Sequence, residues 1–84
     1  MSSDTILIDS DTINDSNAKG ILKAICIDLE ERGYNPVKQI VGYLSSGDPG
    51  YISSYKECRN RIVGLDKESI LELLLKSYLE LWDI

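Results

Sequence analysis

The stretch KESILELLLKSYLELW, residues 67–82, decides the fold class. Nine of its positions are apolar, so apolar side chains cover far more than one third of the circumference of a helix. A surface helix needs only an apolar stripe, whereas a helix that is apolar most of the way round is buried on several sides. Asp66 precedes the stretch and suits an N-cap. We therefore expect a C-terminal helix that packs on more than one side.

Two helices are predicted in the first half of the chain. The first begins at Ser16, after a run of N-cap residues at 14–16, and ends at Gly33, which can adopt the left-handed C-cap conformation. The second opens with Asn35 as its cap and Pro36 in its first turn. Four apolar residues spaced three and four apart are predicted as its buried stripe: Val37, Ile40, Val41 and Leu44.

A turn and a third helix link these helices to the C-terminal one. The segment SGDPG, residues 46–50, is typical of a turn, and its Asp48 is placed to cap the segment after Pro49. Ser54 and Glu57 form an S-x-x-E capping box, which predicts the start of a helix. That third helix is expected to run to about Val63, where glycine interrupts it.

Residues 1–15 differ in composition from the rest of the chain. They carry four aspartates, no basic residue and one apolar patch at residues 6–8, and all nine Lys and Arg come later in the chain. A terminus of this kind predicts a flexible acidic N-terminal arm. The expected fold is therefore all-α, a compact bundle of four to five short helices in a single domain over residues 16–84.

The apolar excess of the C-terminal helix predicts a homodimer. A domain of four short helices is too small to cover one of its helices on all sides. Burying each large apolar side chain is worth roughly 1.5–3 kcal/mol, so leaving several of them in water is costly. A second copy packed on the helix is favoured, and a monomer that folds its own arm across the helix is the alternative. The predicted dimer interface consists of Leu71, Leu74, Leu75, Tyr78, Leu79 and Trp82.

The composition argues against an enzyme, a metal site and a cofactor. There is no histidine to act as a base for a serine or cysteine nucleophile. Cys26 and Cys58 are too few for a zinc site and are expected as buried thiols. The loop at residues 47–50 lacks the GK[ST] ending of a phosphate-binding loop. No run approaches the roughly 20 apolar residues of a membrane span, and nothing resembles a signal peptide, so we expect a cytoplasmic protein.

Nucleic-acid binding is the alternative function that the residues leave open. Lys56, Arg59, Arg61 and Lys67 offer a local basic patch on short helices. The net charge of −5 disfavours a partner with a phosphate backbone, and the basic side chains are expected to pair with nearby acids. A small subunit that only stabilises a larger assembly is a third possibility.

The segment from Glu31 to Ile52 resembles the signature of the IreB family, small cytoplasmic proteins of Gram-positive bacteria. The motifs GYNP, QIVGY and SGDP stand intact between residues 33 and 49. The similarity continues through Arg59 and the closing helix, and it covers about three quarters of the chain. The sequence departs from the family pattern at Ser53, where proline is usual, and at Gly64, where a charged residue is usual.

The resemblance implies an all-helical, homodimeric regulatory phosphoprotein. It implies a transmembrane Ser/Thr protein kinase with extracellular PASTA repeats as a partner, and a negative effect on tolerance of cell-wall-directed antibiotics. The family is phosphorylated on N-terminal threonines. Thr5, in an acid–Thr–apolar setting, matches that pattern, and Ser2 is the second candidate phosphoacceptor. The downstream protein target is not named by the sequence. A rigid turn motif is expected from Gly33, Asn35, Pro36, Gly47, Asp48 and Pro49.

Overall fold

The computed structural model describes the backbone of residues 10–82 and the side chains of residues 17–82. Within these residues the secondary structure is entirely helical, which confirms the all-α prediction. There are four α-helices and two 3-10 turns. In chain order they are α1 (Ser10–Glu31), α2 (Pro36–Ser46), the turns Pro49–Tyr51 and Tyr55–Glu57, α3 (Cys58–Val63) and α4 (Lys67–Leu81).

The first helix is longer than expected. It begins at Ser10, so the predicted start at Ser16, with a cap among residues 14–16, is wrong. Aspartates suit the first turns of a helix as well as its cap, because carboxylates interact favourably with the N-terminal end of the helix dipole. The expected flexible arm thus overlaps the helix over residues 10–15, and its remaining residues, 1–9, lie outside the described part of the chain.

A left-handed glycine ends α1. Gly33 has φ of 95°. Its amide donates to the Glu30 carbonyl at 2.9 Å, and the Tyr34 amide donates to the Leu29 carbonyl at 2.9 Å. These bonds satisfy carbonyls that have no partner within the helix. The chain therefore turns sharply, and α2 begins three residues later.

The core forms along one face of α1, against α3 and α4. Ile25 and Leu29, spaced four apart, are completely buried, as are Ile62 of α3 and Ile70 of α4. Full burial of each such side chain contributes roughly 1.5–3 kcal/mol, so this contact contributes substantially to stability. The buried core residues are Ala18, Leu22, Ile25, Leu29, Ile40, Tyr43, Ile52, Cys58, Ile62, Ile70 and Leu73.

The second helix buries a different face from the predicted one. Ile40 is buried as expected, but Val37 and Val41 are 71% and 55% exposed, so their assignment to the core is wrong. Tyr43 takes part in the core instead. The difference arises because α2 packs mainly against the turn at Pro49–Tyr51 and only lightly against α1. One apolar edge of α2 is consequently left uncovered.

The predicted capping box does not form. Ser54 makes no side-chain cap, and α3 begins at Cys58. Lys56 and Glu57 interrupt the helix because both adopt positive φ, 49° and 62°. Side-chain bonds hold them there: the Lys56 ammonium lies 2.8 Å from the Glu31 carboxylate, and Asn60 donates to the Glu57 carboxylate at 2.6 Å.

The last helix is buried only in its first half. The Asp66 side chain caps it by accepting from the Ser69 amide at 3.2 Å. Ile70 and Leu73 enter the core, and no later residue of α4 is buried. From Leu74 onward the helix extends with its apolar side chains partly or largely exposed.

Candidate functional site

The signature motifs join α2 to the turn after it through a series of capping bonds. Asn35 caps α2 by accepting from the Lys38 amide at 3.1 Å, and Pro36 occupies its first turn. Gly47 ends the helix with φ of 77°, and its amide donates to the Tyr43 carbonyl. Asp48 then caps the turn by accepting from the Gly50 amide at 2.8 Å. These side chains are engaged with their own backbone, so their role is structural.

Gly42, in the middle of the QIVGY motif, lets an aromatic ring lie against α2. A Cβ atom at this position would lie under 2.5 Å from a ring carbon of Tyr51. Real Cβ atoms do not approach other atoms so closely, so any larger residue displaces the ring. Glycine here serves the packing of the turn.

Two further side chains attach the turn to its surroundings. The Gln39 side-chain oxygen accepts from the Ser53 amide at 2.9 Å, and Arg59 Nε donates to the Ile52 carbonyl at 2.9 Å. The first bond requires the amide hydrogen of Ser53, which a proline at this position would lack.

The candidate basic patch is engaged in contacts within the chain. Arg61 Nη2 lies 2.6 Å from the Asp28 carboxylate. Lys56 pairs with Glu31 and lies 3.9 Å from Asp28. These contacts tie α3 and the turn before it to the C-terminal end of α1. Of the other two, Arg59 donates to a backbone carbonyl and the Lys67 ammonium lies 5.7 Å from the Tyr43 ring centre. A nucleic-acid site requires cations that face outward towards phosphates, and these four are engaged within the chain instead.

The same contacts shift the pKa values of their members. The hydrogen bond from Lys56 lowers the pKa of Glu31, with the lysine charge and a hydrogen bond from Tyr55 adding to the effect. The bond to Glu31 raises the pKa of Lys56. The bond to Asp28 raises the pKa of Arg61. Each shift favours the charged form, as expected for a structural ion pair.

Five of the six predicted dimer residues, together with Leu81, form an exposed apolar surface at α4, which we call the α4 face. Leu71, Leu74, Leu75 and Tyr78 follow one another at helical spacing and are all exposed, whereas Leu79 is half-buried. The Tyr78 and Trp82 rings lie 6.2 Å apart, centre to centre. The α4 face, as defined here, consists of Leu71, Leu74, Leu75, Tyr78, Leu81 and Trp82.

A second apolar surface lies beside the first and is concave. It has a volume of about 440 Å³, comparable to many ligand and peptide sites. Lys23 and Glu30 are the charged residues of its wall. We call it the groove; its apolar wall comprises Leu22, Cys26, Ile27, Pro36, Val37, Ile40, Val41, Leu44 and Leu74. Leu74 belongs to both surfaces and joins them.

The sequence did not predict the groove. Val37 and Val41 lie at core spacing with Ile40, and that pattern is the same for a helix face that meets the core and one that meets a partner. No separate signal was available, because the five apolar residues of α2 number about what one core face of an 11-residue helix requires.

The chemistry of the remaining groups is limited. Both cysteines are free; Cys58 is fully buried in the core and Cys26 lies half-buried in the groove. Burial raises the pKa of the Cys26 thiol, with the nearby Glu30 charge adding to the effect. Among the described residues no cluster of three metal-ligating side chains is found, and no helix has the length and hydropathy to span a bilayer. Ser2 and Thr5 lie outside these residues.

A comparison with protein-family models places these features in a known context. The model for the IreB regulatory phosphoprotein matches residues 3–80, which covers the signature motifs, all four helices up to the last turn of α4, and Thr5. The resemblance found in the motifs between residues 33 and 49 is thereby confirmed. A match over nearly the whole sequence shows the family, and the chain belongs to the IreB regulatory phosphoproteins.

Proposed function

We propose that this chain is a non-enzymatic regulatory phosphoprotein that acts as a homodimer by binding other proteins. The observation that carries the proposal is its family, which is one of regulatory phosphoproteins. The side chains support it, because the polar groups of the signature motifs are used to hold the fold. Among residues 17–82, many large apolar side chains of α2 and α4 lie exposed, which suits binding to protein.

Thr5 is the proposed phosphoacceptor and a PASTA-type Ser/Thr protein kinase the proposed partner. Thr5 is favoured over Ser2 because it stands between Asp4 and Ile6, the acid–Thr–apolar setting that the resemblance implies. A phosphoryl group adds nearly two negative charges at neutral pH. On a segment that is already acidic, this addition changes which surfaces the segment binds.

Dimerisation through the α4 face is the second part of the proposal. Leu74, Leu75 and Tyr78 stand at the centre of that face and lie exposed in the single chain. Covering them with a second copy removes apolar area from water, the main driving force for association. The helical dimer then serves as a scaffold that presents two phosphorylatable segments.

The proposed cellular role is negative regulation of tolerance to cell-wall-directed antibiotics, in the cytoplasm, through a protein target yet to be identified. Deleting the gene is expected to raise tolerance, and restoring the chain is expected to lower it again. Capture with Thr5→Ala and Thr5→Glu chains, compared side by side, identifies proteins whose binding depends on the charge at this position.

The decisive experiment is phosphorylation of the full chain by a PASTA-type kinase, read by intact mass and peptide mapping. We expect phosphate on Thr5 that is lost in Thr5→Ala. Thr12→Ala is the matched control, because Thr12 has the same Asp-Thr-Ile setting but lies within α1. Its phosphorylation should equal that of the natural chain. If the chain acquires no phosphate on either Thr5 or Ser2, the proposed control by phosphorylation is refuted.

A further inference from the structure

Another cleft lies where the turn after α2 meets the junction of α3 and α4, and we call it the junction cleft. It is bounded by Tyr43 and Gly47 of α2 and its cap, Pro49 in the turn, Val63 at the end of α3 and Lys67 at the start of α4. Its volume is about 570 Å³, within the roughly 300–1,000 Å³ range of ligand sites. None of its lining residues belongs to the groove or to the α4 face, so it is separate from the surface proposed for dimerisation.

Two cations at this junction carry a charge that no carboxylate balances. The Lys67 ammonium lies 5.7 Å from the Tyr43 ring centre, and Arg59 Nε donates to a backbone carbonyl. Among residues 17–82, the carboxylates that pair with the basic patch are taken by Lys56 and Arg61, and neither Arg59 nor Lys67 takes part in an ion pair. A ring or a carbonyl orients a cation without cancelling its formal charge. The junction therefore favours an occupant that supplies carboxylates.

The acidic residue in the lining of the junction cleft is committed to the fold. The Asp66 carboxylate accepts from the Ser69 amide and from the Ser69 hydroxyl, each at 3.2 Å, and it lies at the N-terminal end of the α4 dipole, which favours a negative charge. Arg59 stands four residues before Val63, on the same side of α3, so cationic side chains flank an exposed apolar one. This pattern is complementary to an acidic segment that carries an apolar residue. A phosphate backbone requires a longer run of cations.

The junction cleft lies beside the part of α1 that leads towards Thr5. Asn17 lines a depression together with residues 64–66, which also line the junction cleft. The helix rise puts Ser10, the first residue of α1, about 10 Å beyond Asn17. Thr5 is five residues further, at most ~18 Å along any path of the chain. Thr5 is thus no more than about 30 Å from the cleft wall, roughly the diameter of a small domain, so one kinase domain can reach both.

We propose that the junction cleft is a docking site for the kinase that phosphorylates Thr5, and that it takes an acidic segment of the kinase's catalytic domain with a carboxylate facing Lys67. This inference rests on the phosphorylation proposed above and deepens it, because it adds a recognition surface away from the phosphoacceptor. The Thr5 hydroxyl oxygen takes the γ-phosphoryl group of ATP, ADP leaves, and the hydroxyl proton is released. Docking makes the approach of Thr5 to the active site effectively intramolecular, which raises its local concentration there.

Steady-state phosphorylation of the full chain by a PASTA-type kinase separates docking from chemistry. Lys67→Glu brings like charges together at the cleft, so we expect the KM for the chain to rise about tenfold or more while kcat is unchanged. Lys38→Glu is the matched control, because it makes the same charge change at an exposed lysine outside the cleft, and its KM should equal that of the natural chain. Lys67→Ala removes the charge without reversing it and should raise KM by a smaller factor. Circular dichroism verifies that each variant is folded.

A peptide and a competitor chain give independent readouts. A peptide of residues 1–9 contains Thr5 but no cleft, so its KM should be at least as high as that of the Lys67→Glu chain. An excess of Thr5→Ala chain still offers the cleft, and it should slow phosphorylation of Thr5 in the natural chain. The same competitor carrying Lys67→Glu should not.

Two kinds of failure are distinguishable. Equal KM values for the natural, Lys67→Glu and Lys38→Glu chains, or equal inhibition by the two competitors, would overturn the docking site and leave the phosphorylation of Thr5 standing. A lower kcat at unchanged KM for Lys67→Glu would also overturn it. A natural chain that acquires no phosphate on Thr5 would overturn the proposed phosphorylation itself, and the docking site with it.

Discussion

Replacing Gly42 by alanine tests how the signature motif stabilises the fold. In the natural chain the Tyr51 ring lies against α2 at Gly42, where a Cβ atom would overlap a ring carbon. The ring is about half exposed, so it can swing into solvent without disrupting the core. We therefore expect Gly42→Ala to expel the ring and leave the helices intact.

The size of the effect is set by two opposing contributions. A tyrosine buries about 150–250 Å² when covered, so a half-covered ring forfeits roughly 100 Å², or about 2.5 kcal/mol at 25 cal/mol per Å². Alanine in place of glycine inside a helix returns about 1 kcal/mol. The net expectation is a loss of about 1–2 kcal/mol in the free energy of unfolding.

Urea denaturation followed by circular dichroism measures this loss in the free energy of unfolding. Making the same substitution in a Tyr51→Ala variant tests whether the ring contact is its cause. In a Tyr51→Ala chain no ring lies against α2, so the added Gly42→Ala change should stabilise by about 1 kcal/mol. The sign of the alanine effect is thus expected to reverse between the two backgrounds. If Gly42→Ala destabilises both chains equally, the close approach of the ring is not the reason for glycine at this position.

Three further predictions concern single contacts. Gly64 caps α3 with φ of −71°, which any residue adopts, so Gly64→Ala should raise the free energy of unfolding by about 0.4–1 kcal/mol; a loss would mean that its Cβ finds no room. Asn35→Ala removes the cap bond to the Lys38 amide and should cost about 1 kcal/mol in the same assay, and an unchanged midpoint would show the cap to be dispensable. Because the pKa of Glu31 is lowered in the folded chain, its stabilising contribution is complete above the ordinary value of 4.5 and is lost as the pH falls through the folded value. Glu31→Gln should therefore flatten the acid side of the curve of unfolding free energy against pH. An unchanged pH dependence would refute the pairing with Lys56.

Local chemistry in the sequence was sufficient to place most helix ends. Asn35, Gly47 and Asp66 act through side-chain caps or backbone conformations that depend on a few neighbouring residues, and such signals can be read without the fold. The interruption of the helix before α3 could not be predicted from neighbouring residues. Lys56 and Glu57 adopt positive φ although neither is glycine, and ion pairing to α1, distant in sequence, helps to hold them there.

Which face of a helix is buried was harder to predict than where the helix lies. On α4 the apolar excess was large enough to predict that part of it packs on a second copy, and Leu75 and Tyr78 lie exposed in the single chain. On α2 the apolar residues number no more than one core face requires. Periodicity cannot distinguish a face that meets the core from one that lines a groove, so Val37 and Val41 were assigned wrongly.

Sedimentation equilibrium of the natural full chain, over a range of concentrations, is the measurement that bears most directly on self-association. We expect a mass of two chains that falls towards one chain on dilution, and a single-chain mass throughout for Leu75→Glu, which places a carboxylate on the α4 face. A natural chain that stays at single-chain mass at every concentration would leave the α4 face open to water, and would contradict the proposed dimer.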